Sequence, residues 1–267
     1  MIPKAVHYCW FGKSKKPKLV RDCMLSWKKH LPDYEIIEWN ESNSDLSLPF
    51  IKEAYKLKKW AFVSDYIRLK VLYEYGGIYL DTDMLLLKPL DSLLSNKTFL
   101  GAECIEFINC AIVGTVSKSL FIHNCLEQYK IIKITNEIDL GLITIPRIVT
   151  NIFRHSYDFN APFDVIVQKN EIIIYPAAYF YPLSYEHKDE ILNFKQHLQK
   201  ESYAIHLWSS SWIAYSEFYH FDHSQYIKGL QKVFDKVKKD KKIELQYILK
   251  VASSLKRNLI DKRWQKV

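Results

Sequence analysis

A Gly-Gly pair, a short apolar run and an Asp-Thr-Asp triplet constrain the fold of this chain more than any other feature. Gly76 and Gly77 end a long helical pattern, and the residues that follow read Ile-Tyr-Leu-Asp-Thr-Asp. A strand that runs into polar residues at its carboxyl end is where α/β folds bind ligands. Residues i and i+2 of an extended chain point the same way, so Asp81 and Asp83 would face one ligand together.

Apolar strands alternate with amphipathic helices around this motif. Helical spacing is present at residues 17–30, 50–75 and 118–130. Apolar runs indicate strands at residues 4–10, 34–39, 78–87, 97–101, 108–114 and 171–175. This alternation predicts an α/β layered fold, with a mostly parallel central sheet flanked by helices. No Gly/Ser-rich linker interrupts residues 1–227, so we expect them to form one domain.

Charge marks the end of that domain. Residues 228–267 hold 13 Lys or Arg and 4 Asp or Glu, whereas residues 1–227 hold 25 and 26. Apolar residues recur at helical spacing through the same segment, at Leu230, Val233, Phe234, Val237, Leu245, Ile248, Leu249, Ala252, Leu255 and Leu259. We predict a basic amphipathic helical tail over 228–267. It would either pack on the domain with its lysines outward or bind an anionic membrane surface.

Composition excludes several classes of protein. Hydrophobic residues make up 48% of the 267 residues and aromatic residues 15%, which excludes a disordered, collagen-like or coiled-coil chain. The sequence has neither an apolar run long enough for a membrane span nor a secretory leader pattern at Met1. Five cysteines without a Cys-x-x-Cys pair indicate reduced thiols. We therefore expect a cytoplasmic location, or a peripheral one on the cytoplasmic face of the plasma membrane.

The Asp-Thr-Asp triplet is the first candidate site. Its alternative is a surface turn, but apolar sequence on both sides places two carboxylates near the core, where a cation would neutralise them. Carboxylate oxygens favour Mg²⁺ or Mn²⁺, which would in turn hold phosphates. Upstream, Asp65 and Arg68 lie at i and i+3 on one helix face. By themselves they would be a surface ion pair worth a few tenths of a kcal/mol.

Other candidates follow strand ends. His7 and Trp10 close the first predicted strand, and Trp39-Asn40 closes the second. An aromatic ring at such an edge can stack on a nucleotide base, or it can belong to the core. Near residue 206 the sequence reads His-Leu-Trp-Ser-Ser-Ser-Trp. Neutral imidazole is a suitable third ligand for Mn²⁺, and the hydroxyl and indole groups can donate to phosphate oxygens. The alternative is a core histidine with structural tryptophans.

Taken together, three blocks of residues resemble a known family. They are Ile2-Pro3-Lys4-x-Val6-His7-x-x-Trp10, then Ser64-Asp65-x-x-Arg68-x-x-x-Leu72-Tyr73-x-x-Gly76-Gly77-x-Tyr79-x-Asp81-x-Asp83, and His206-x-Trp208-x-x-Ser211-Trp212. They are similar to the DXD-containing sugar-binding glycosyltransferases, glycosyltransferase family 32. That family includes capsular and yeast outer-chain enzymes and is akin to the glucosylating toxins. The resemblance covers roughly residues 2–215.

The resemblance implies a GT-A fold and a role for each matching residue. Trp10 would stack on the base, with His7 and Asn40 beside the nucleotide, and Asp65 and Arg68 would bind hydroxyls of the donor sugar. Asp81 would contact ribose and metal, Asp83 and His206 would be metal ligands, and the Tyr79 hydroxyl would lie near the phosphates. Asn109 would lie beside the anomeric carbon, and His206, Ser211 and Trp212 would close over the diphosphate. Ile145 stands where the family has glycine.

The function that this resemblance implies is a retaining, metal-dependent transfer of a hexose from a nucleotide sugar, with Mn²⁺ or Mg²⁺ as cofactor. The divalent ion held by Asp83, together with Arg68 and the 206–212 donors, would stabilise the diphosphate leaving group. We favour UDP-hexose as donor, with GDP-mannose as the alternative. The acceptor would be a lipid-linked glycan in capsule or surface polysaccharide synthesis, attacking from the front face. More distant alternatives are a DxD phosphatase and a non-enzymatic basic protein that binds membrane or nucleic acid.

Overall fold

The computed structural model describes residues 1–134, 140–209, 221, 226–240, 247–249, 251–253 and 255. Its helices are α1 (Lys18–His30), α2 (Pro49–Lys56), α3 (Trp60–Tyr75), α4 (Leu120–Ile131), α5 (Ile145–Tyr157) and α6 (Tyr226–Asp240). Its strands are β1 (Ala5–Cys9), β2 (Glu35–Trp39), β3 (Gly77–Leu80), β4 (Met84–Leu86), β5 (Thr98–Ala102), β6 (Ile108–Thr115), β7 (Val167–Lys169), β8 (Ile172–Tyr175) and β9 (Ala204–His206). A 3₁₀ segment, Tyr185–His197, lies between β8 and β9.

One sheet of seven strands organises the first compact unit, Met1–Ser209. Its strand order is β2-β1-β3-β6-β5-β8-β7, and β4 pairs with β9 in a separate two-stranded sheet. Strands β2, β1, β3, β5 and β8 run in one direction, while β6 and β7 run in the other. The predicted α/β fold with a mostly parallel central sheet flanked by helices is confirmed.

The sheet buries both of its faces, as its continuous apolar strands require. On one face, side chains of α2, α3, α4 and α5 pack against Cys9, Tyr79 and Leu100. On the other face, Trp27 of α1 packs against Val6, Tyr8 and Ile78. The alternation of Tyr8 and Cys9 between these two cores follows the two-residue period of a strand.

Two predicted elements are divided in the structure. The expected strand over 78–87 stops at Leu80, and β4 begins at Met84, because the chain turns at the Asp-Thr-Asp triplet and Met84 N donates to Asp81 O at 2.9 Å. The expected helix over 50–75 is interrupted between α2 and α3, where Lys58 has a φ of 55°. The predicted end of that helix at Gly76 is confirmed, with a φ of 70°.

The second compact unit is Ser210–Val267, and it contains α6. The sequence boundary at 227/228 stays a prediction. The α6 helix exposes Ile227, Leu230 and Phe234 to solvent alongside several lysines. Among the described residues, no helix combines the length and the apolar character that crossing a membrane requires.

Candidate functional site

The predicted site residues collect at one edge of the seven-stranded sheet. Strands β1, β2 and β3 end there and are followed by Trp10, Asn40 and Asp81. The antiparallel strand β6 starts at the same edge, and Asp81 N donates to Ala111 O at 2.7 Å. Asn109 is two residues before Ala111 on β6 and therefore lies at this edge as well.

His7 is the exception among the predicted donor-binding residues. Its side chain is 1% exposed and points into the protein, where Nε2–H donates to Gly76 O at 2.9 Å. Its Nδ1 accepts from Trp39 Nε1 at 3.1 Å. Burial lowers the pKa of His7, although the bond to the Gly76 carbonyl opposes this shift. With both ring nitrogens engaged, His7 fixes the turn into β3 and has no group left for a nucleotide.

Arg68 connects helix α3 to the Asp-Thr-Asp turn. Its Nη2 lies 3.1 Å from Asp65 Oδ1 and 3.1 Å from Asp81 Oδ1, and its Nη1 donates to Asp81 Oδ2 at 3.3 Å. The guanidinium also lies over the Tyr79 ring at 4.6 Å, and the Tyr79 hydroxyl donates to Asp81 at 3.0 Å. Arg68 is 4% exposed. Asp65 and Arg68 therefore form a buried network with Asp81 and are not the surface ion pair of the alternative interpretation.

Burial raises the pKa of Asp65 to about 7, with the nearby Asp81 charge adding to the rise and Arg68 opposing it. The physical reason is that one guanidinium faces two carboxylates in a region removed from water. The pKa of Arg68 lies well above its usual range, because its carboxylate neighbours outweigh the effect of burial. With both carboxylates ionised this network would carry a net negative charge, which together with burial favours a proton on Asp65.

Asp83 and His206 meet on the other side of the turn. His206 Nε2 lies 3.1 Å from Asp83 Oδ1, and Ser209 N donates to Asp83 Oδ2 at 2.8 Å. Pairing of β4 with β9 sets His206 opposite Met84, next to the triplet. Trp208 has a φ of 46°, which is uncommon for a bulky side chain and turns the chain so that the next amide reaches Asp83.

Asp81, Asp83 and His206 each offer a ligand atom, and these atoms all lie within 4.8 Å of one another. Burial would raise the pKa of Asp83, but the His206 charge and the hydrogen bonds from His206 and Ser209 hold it below its usual range. Burial lowers the pKa of His206, and Asp83 raises it by more. Asp83 and His206 are thus held together by opposite charge as well as by a hydrogen bond.

The donor set fits a hard divalent cation. Two carboxylates and one imidazole are ligands that Mn²⁺ accepts, and Mg²⁺ favours such oxygen atoms. The ligand atoms of Asp81, Asp83 and His206 lie within 4.8 Å of one another, so these three residues could hold one cation together. The excess of carboxylates over cationic side chains around the turn favours the same conclusion.

A register shift between β5 and β6 shapes the middle of the site. The pairing jumps from Leu100↔Val113 to Gly101↔Asn109, so residues 110–112 lose their β5 partners. Arg68 Nη1 uses the freed carbonyl of Cys110 at 2.7 Å, and the Tyr181 hydroxyl accepts from Ile112 N at 3.3 Å. The irregularity therefore supplies the backbone groups that position Arg68 and Tyr181.

Asn109 lies at the end of this irregular stretch and is 7% exposed. Its Nδ2 donates to the Glu103 carboxylate, and its Oδ1 accepts from Ala111 N at 2.7 Å and from the Tyr181 hydroxyl at 3.3 Å. Burial raises the pKa of Glu103, while the bond from Asn109 and the His206 charge oppose the rise. Asn109 is thus held within a buried polar cluster.

A cavity of about 310 Å³ opens where β1 and β2 end, and its lining includes Trp10, Glu38 and Asn40. Trp10 Nε1 donates to Ser14 O at 2.8 Å, which fixes the indole ring at the mouth. Glu38 accepts from Lys16 at 2.7 Å and from Asn40 Nδ2 at 3.1 Å. Burial raises the pKa of Glu38, but these bonds outweigh it and leave the pKa below its usual value. The structure brings the predicted Trp10 and Asn40 together.

Some predicted residues fall elsewhere, and some relevant ones were not predicted. Ser211 and Trp212 lie outside the described residues. Ile145, at the position where the family has glycine, is buried at the start of α5. The sequence reasoning missed Glu103 and Tyr181. Glu103 directly follows β5 at the same sheet edge, and the strand-end rule used for Asp81 would have found it. Tyr181 follows no strand and carries no comparable signal.

This chain is similar to several known proteins. Residues 17–100 match the family described as "Glycosyltransferase sugar-binding region containing DXD motif". The human Alpha-1,4-N-acetylglucosaminyltransferase is 27% identical over 69% of this chain and 51% of its own length. Inositol phosphoceramide mannosyltransferase 1 of Schizosaccharomyces pombe is 31% identical over 48% of this chain and 42% of its own length. The solved PaToxG glycosyltransferase aligns with a TM-score of 0.46 at 15% identity, over 59% of this chain and 70% of that one.

The predicted cytoplasmic location, including the peripheral one at the plasma membrane, is wrong. The relatives that this chain matches are membrane-resident proteins of a lumen and not cytoplasmic ones. The absence of a leader pattern and of disulfides was insufficient evidence for a compartment. The chain spans about half the length of these curated relatives, or less. The predicted resemblance to the DXD-containing glycosyltransferases is nevertheless confirmed, because residues 17–100 match the sugar-binding region of that family.

Proposed function

We propose that this chain transfers a hexose from a nucleotide sugar to a glycan or glycolipid hydroxyl, with retention of configuration and with a divalent cation. The observation that carries the proposal is the group of Asp81, Asp83 and His206, whose ligand atoms lie within 4.8 Å of one another at the sheet edge. The cavity lined by Trp10 and Asn40 opens at the same edge and suits a nucleotide base.

Each residue at this edge of the sheet has a separate role in the proposed reaction. Trp10 would stack on the base, and Asp81, Asp83 and His206 would hold the cation, which when bound neutralises the diphosphate. Asp65 would accept from a hydroxyl of the donor sugar, and Arg68 would hold Asp65 and Asp81 in place beside it. Arg68, buried and fixed by its two carboxylates, adds a positive charge that is already oriented when the leaving group develops negative charge.

Two classes of sugar donor are candidates for this reaction. The sequence favoured a UDP-hexose. The fission yeast relative is named as a mannosyltransferase, which supports a mannosyl donor such as GDP-mannose. The name also contains a lipid acceptor, inositol phosphoceramide, and this supports the lipid-linked acceptor predicted here. A role in capsule or surface polysaccharide synthesis stays a prediction.

The basic tail offers a second element of the proposal, contact with an anionic membrane surface. Ile227 and Phe234 of α6 are 76% and 66% exposed, and lysines accompany them on the same helix. Exposed apolar side chains beside cationic ones complement a negatively charged lipid surface. Such a surface would bring the domain close to a lipid-linked acceptor.

The test is nucleotide release from a donor panel. The purified chain is incubated with Mn²⁺ and, separately, UDP-glucose, UDP-galactose, UDP-N-acetylglucosamine or GDP-mannose. We expect slow hydrolysis of one donor, loss of it with chelator, and its recovery when Mn²⁺ is restored. Asp83→Asn should remove turnover, whereas Asp91→Asn, which changes a half-exposed surface carboxylate paired with Lys4, should not. The proposal fails if the wild-type chain neither binds nor hydrolyses any of these donors.

A further inference from the structure

The Asn109 carboxamide has a defined partner at each of its two ends. Its Oδ1 accepts from the Ala111 amide at 2.7 Å and from the Tyr181 hydroxyl at 3.3 Å, while its Nδ2 donates to Glu103. The Ala111 N–H can only donate, and an ionised carboxylate can only accept. If the amide were rotated by half a turn, its NH₂ group would face the Ala111 N–H and its oxygen would face the Glu103 carboxylate. The first pair would be two donors and the second two acceptors, so these partners fix the orientation of the amide.

This orientation decides what Asn109 can offer to a ligand. Both lone pairs of Oδ1 are engaged by Ala111 and Tyr181, so the carbonyl oxygen has no acceptor capacity left. Nδ2 carries two hydrogens, and within the described chain only Glu103 accepts from it. The group that Asn109 presents to the site is thus an N–H donor.

Glu103 and Tyr181, which hold the Asn109 amide, have further hydrogen-bond partners of their own. Glu103 N donates to Phe107 O at 2.9 Å and closes the loop between β5 and β6. Tyr181 is 1% exposed, and its hydroxyl accepts from Ile112 N at 3.3 Å while it donates to Asn109. Gly101 permits this approach, because a Cβ there would lie 2.7 Å from the Tyr181 ring.

We propose that Glu103 is a positioning residue that, together with Tyr181, orients Asn109 so that an N–H and not the carbonyl oxygen faces the donor sugar. The inference rests on the proposed function, since it assigns Asn109 to that reaction. Asn109 then donates to an oxygen of the sugar or of the leaving phosphate. Its carbonyl oxygen cannot act as the nucleophile on the anomeric carbon, which is consistent with attack by the acceptor hydroxyl from the front face.

Glu103→Leu and Glu103→Gln test the positioning role in the full chain with Mn²⁺. The leucine variant loses the acceptor for Asn109, and we expect kcat for donor hydrolysis to fall at least about tenfold. Gln keeps an acceptor oxygen and should restore kcat to within about threefold of wild type. The Kd of the nucleoside diphosphate should stay within about twofold in both, because neither change removes a residue assigned to the base or to the cation. Glu106→Leu, in the same loop but exposed, is the matched control.

A double-mutant cycle with Asn109→Ala separates positioning from a direct role, with single-turnover hydrolysis as the measurement. If Glu103 acts through Asn109, Glu103→Leu should change the rate less than about twofold once residue 109 is alanine. An equal loss in both backgrounds would overturn the proposal, as would wild-type kcat in the Glu103→Leu single variant. Should circular dichroism show Glu103→Leu unfolded, Glu103→Ser takes its place in the cycle. Failure of the proposed function would be seen separately, as a wild-type chain without donor hydrolysis.

Discussion

At the scale of single residues, Arg68 accounts for much of the site's organisation. It contacts Asp65 and Asp81 and donates to the Cys110 carbonyl at 2.7 Å. Its Nε also lies 3.4 Å from Ser64 O. These bonds use several N–H groups of one planar fork at once, a pattern that an ammonium group cannot reproduce. The guanidinium therefore fixes the relative position of a helix, a turn and a strand.

Arg68→Lys should for this reason be a severe change. We expect kcat/KM for donor hydrolysis to fall at least about 100-fold, equivalent to about 2.7 kcal/mol of transition-state stabilisation. Arg21→Lys is the control, because the Arg21 side chain donates to the backbone carbonyl of Lys16 at an exposed position. Activity of Arg68→Lys within a few-fold of wild type would mean that the site does not need the fork to hold Asp65 and Asp81 in place.

Asp65 gives a prediction for the pH dependence of stability. Its pKa is about 7 in the folded chain, against 3.8 ordinarily. Above pH 4 the unfolded chain releases this proton while the folded chain retains it, so folding loses stability as the pH rises toward 7. Asp65→Asn does not titrate. Urea unfolding with chelator present should therefore show the stability of wild type falling relative to Asp65→Asn between pH 5 and pH 7.5, and parallel pH profiles would contradict the shifted pKa.

At the scale of elements, the connection between α3 and β3 positions the Asp-Thr-Asp turn at the sheet edge. The helix ends at Gly76 and the strand begins at Gly77, with φ values of 70° and 101°. A Cβ on Gly77 would lie 2.7 Å from the carbonyl oxygen of Ala5, which belongs to the neighbouring strand and cannot move aside. This abrupt connection places Arg68 and Asp81 side by side.

Gly77→Ala should destabilise the chain by about 2–4 kcal/mol, combining a strained φ with a backbone clash. Gly12→Ala is the informative comparison, because Gly12 also has a positive φ, of 87°, but its Cβ would meet only the Trp60 side chain. We expect Gly12→Ala to cost less in urea unfolding. Equal losses in the two variants would show that the close contact with β1 contributes nothing.

The sequence predicted elements whose signal is local and missed those that depend on partners. The helix end at Gly76 and the edge position of Asp81 follow from residue type and strand direction. The break of the expected 78–87 strand could not be predicted, because its second half pairs with β9, over 100 residues later. The β5–β6 register shift and the role of Tyr181 depend likewise on tertiary contacts. Local periodicity contains no information about such partners.

At the scale of the whole molecule, the separation of charge is the dominant feature. Residues 1–227 are close to neutral, with 25 basic and 26 acidic side chains, while residues 228–267 carry 13 basic and 4 acidic ones. Here the excess positive charge belongs to the segment that also exposes Ile227, Leu230 and Phe234.

This arrangement predicts salt-sensitive binding of the full chain to anionic vesicles. Replacing Ile227, Leu230 and Phe234 together by serine should weaken partitioning to phosphatidylserine-containing vesicles at least about tenfold, since each buried apolar side chain contributes about 1 kcal/mol or more. Leu192→Ser, at a leucine that is 93% exposed in the first unit, is the matched control and should bind like wild type. Raising the salt concentration should release the wild-type chain, because each basic residue near the surface contributes about 1 kcal/mol of screened attraction. If the triple variant binds as tightly as wild type, or if wild type binds neutral and anionic vesicles equally, the apolar and cationic side chains of α6 do not form a membrane-binding surface.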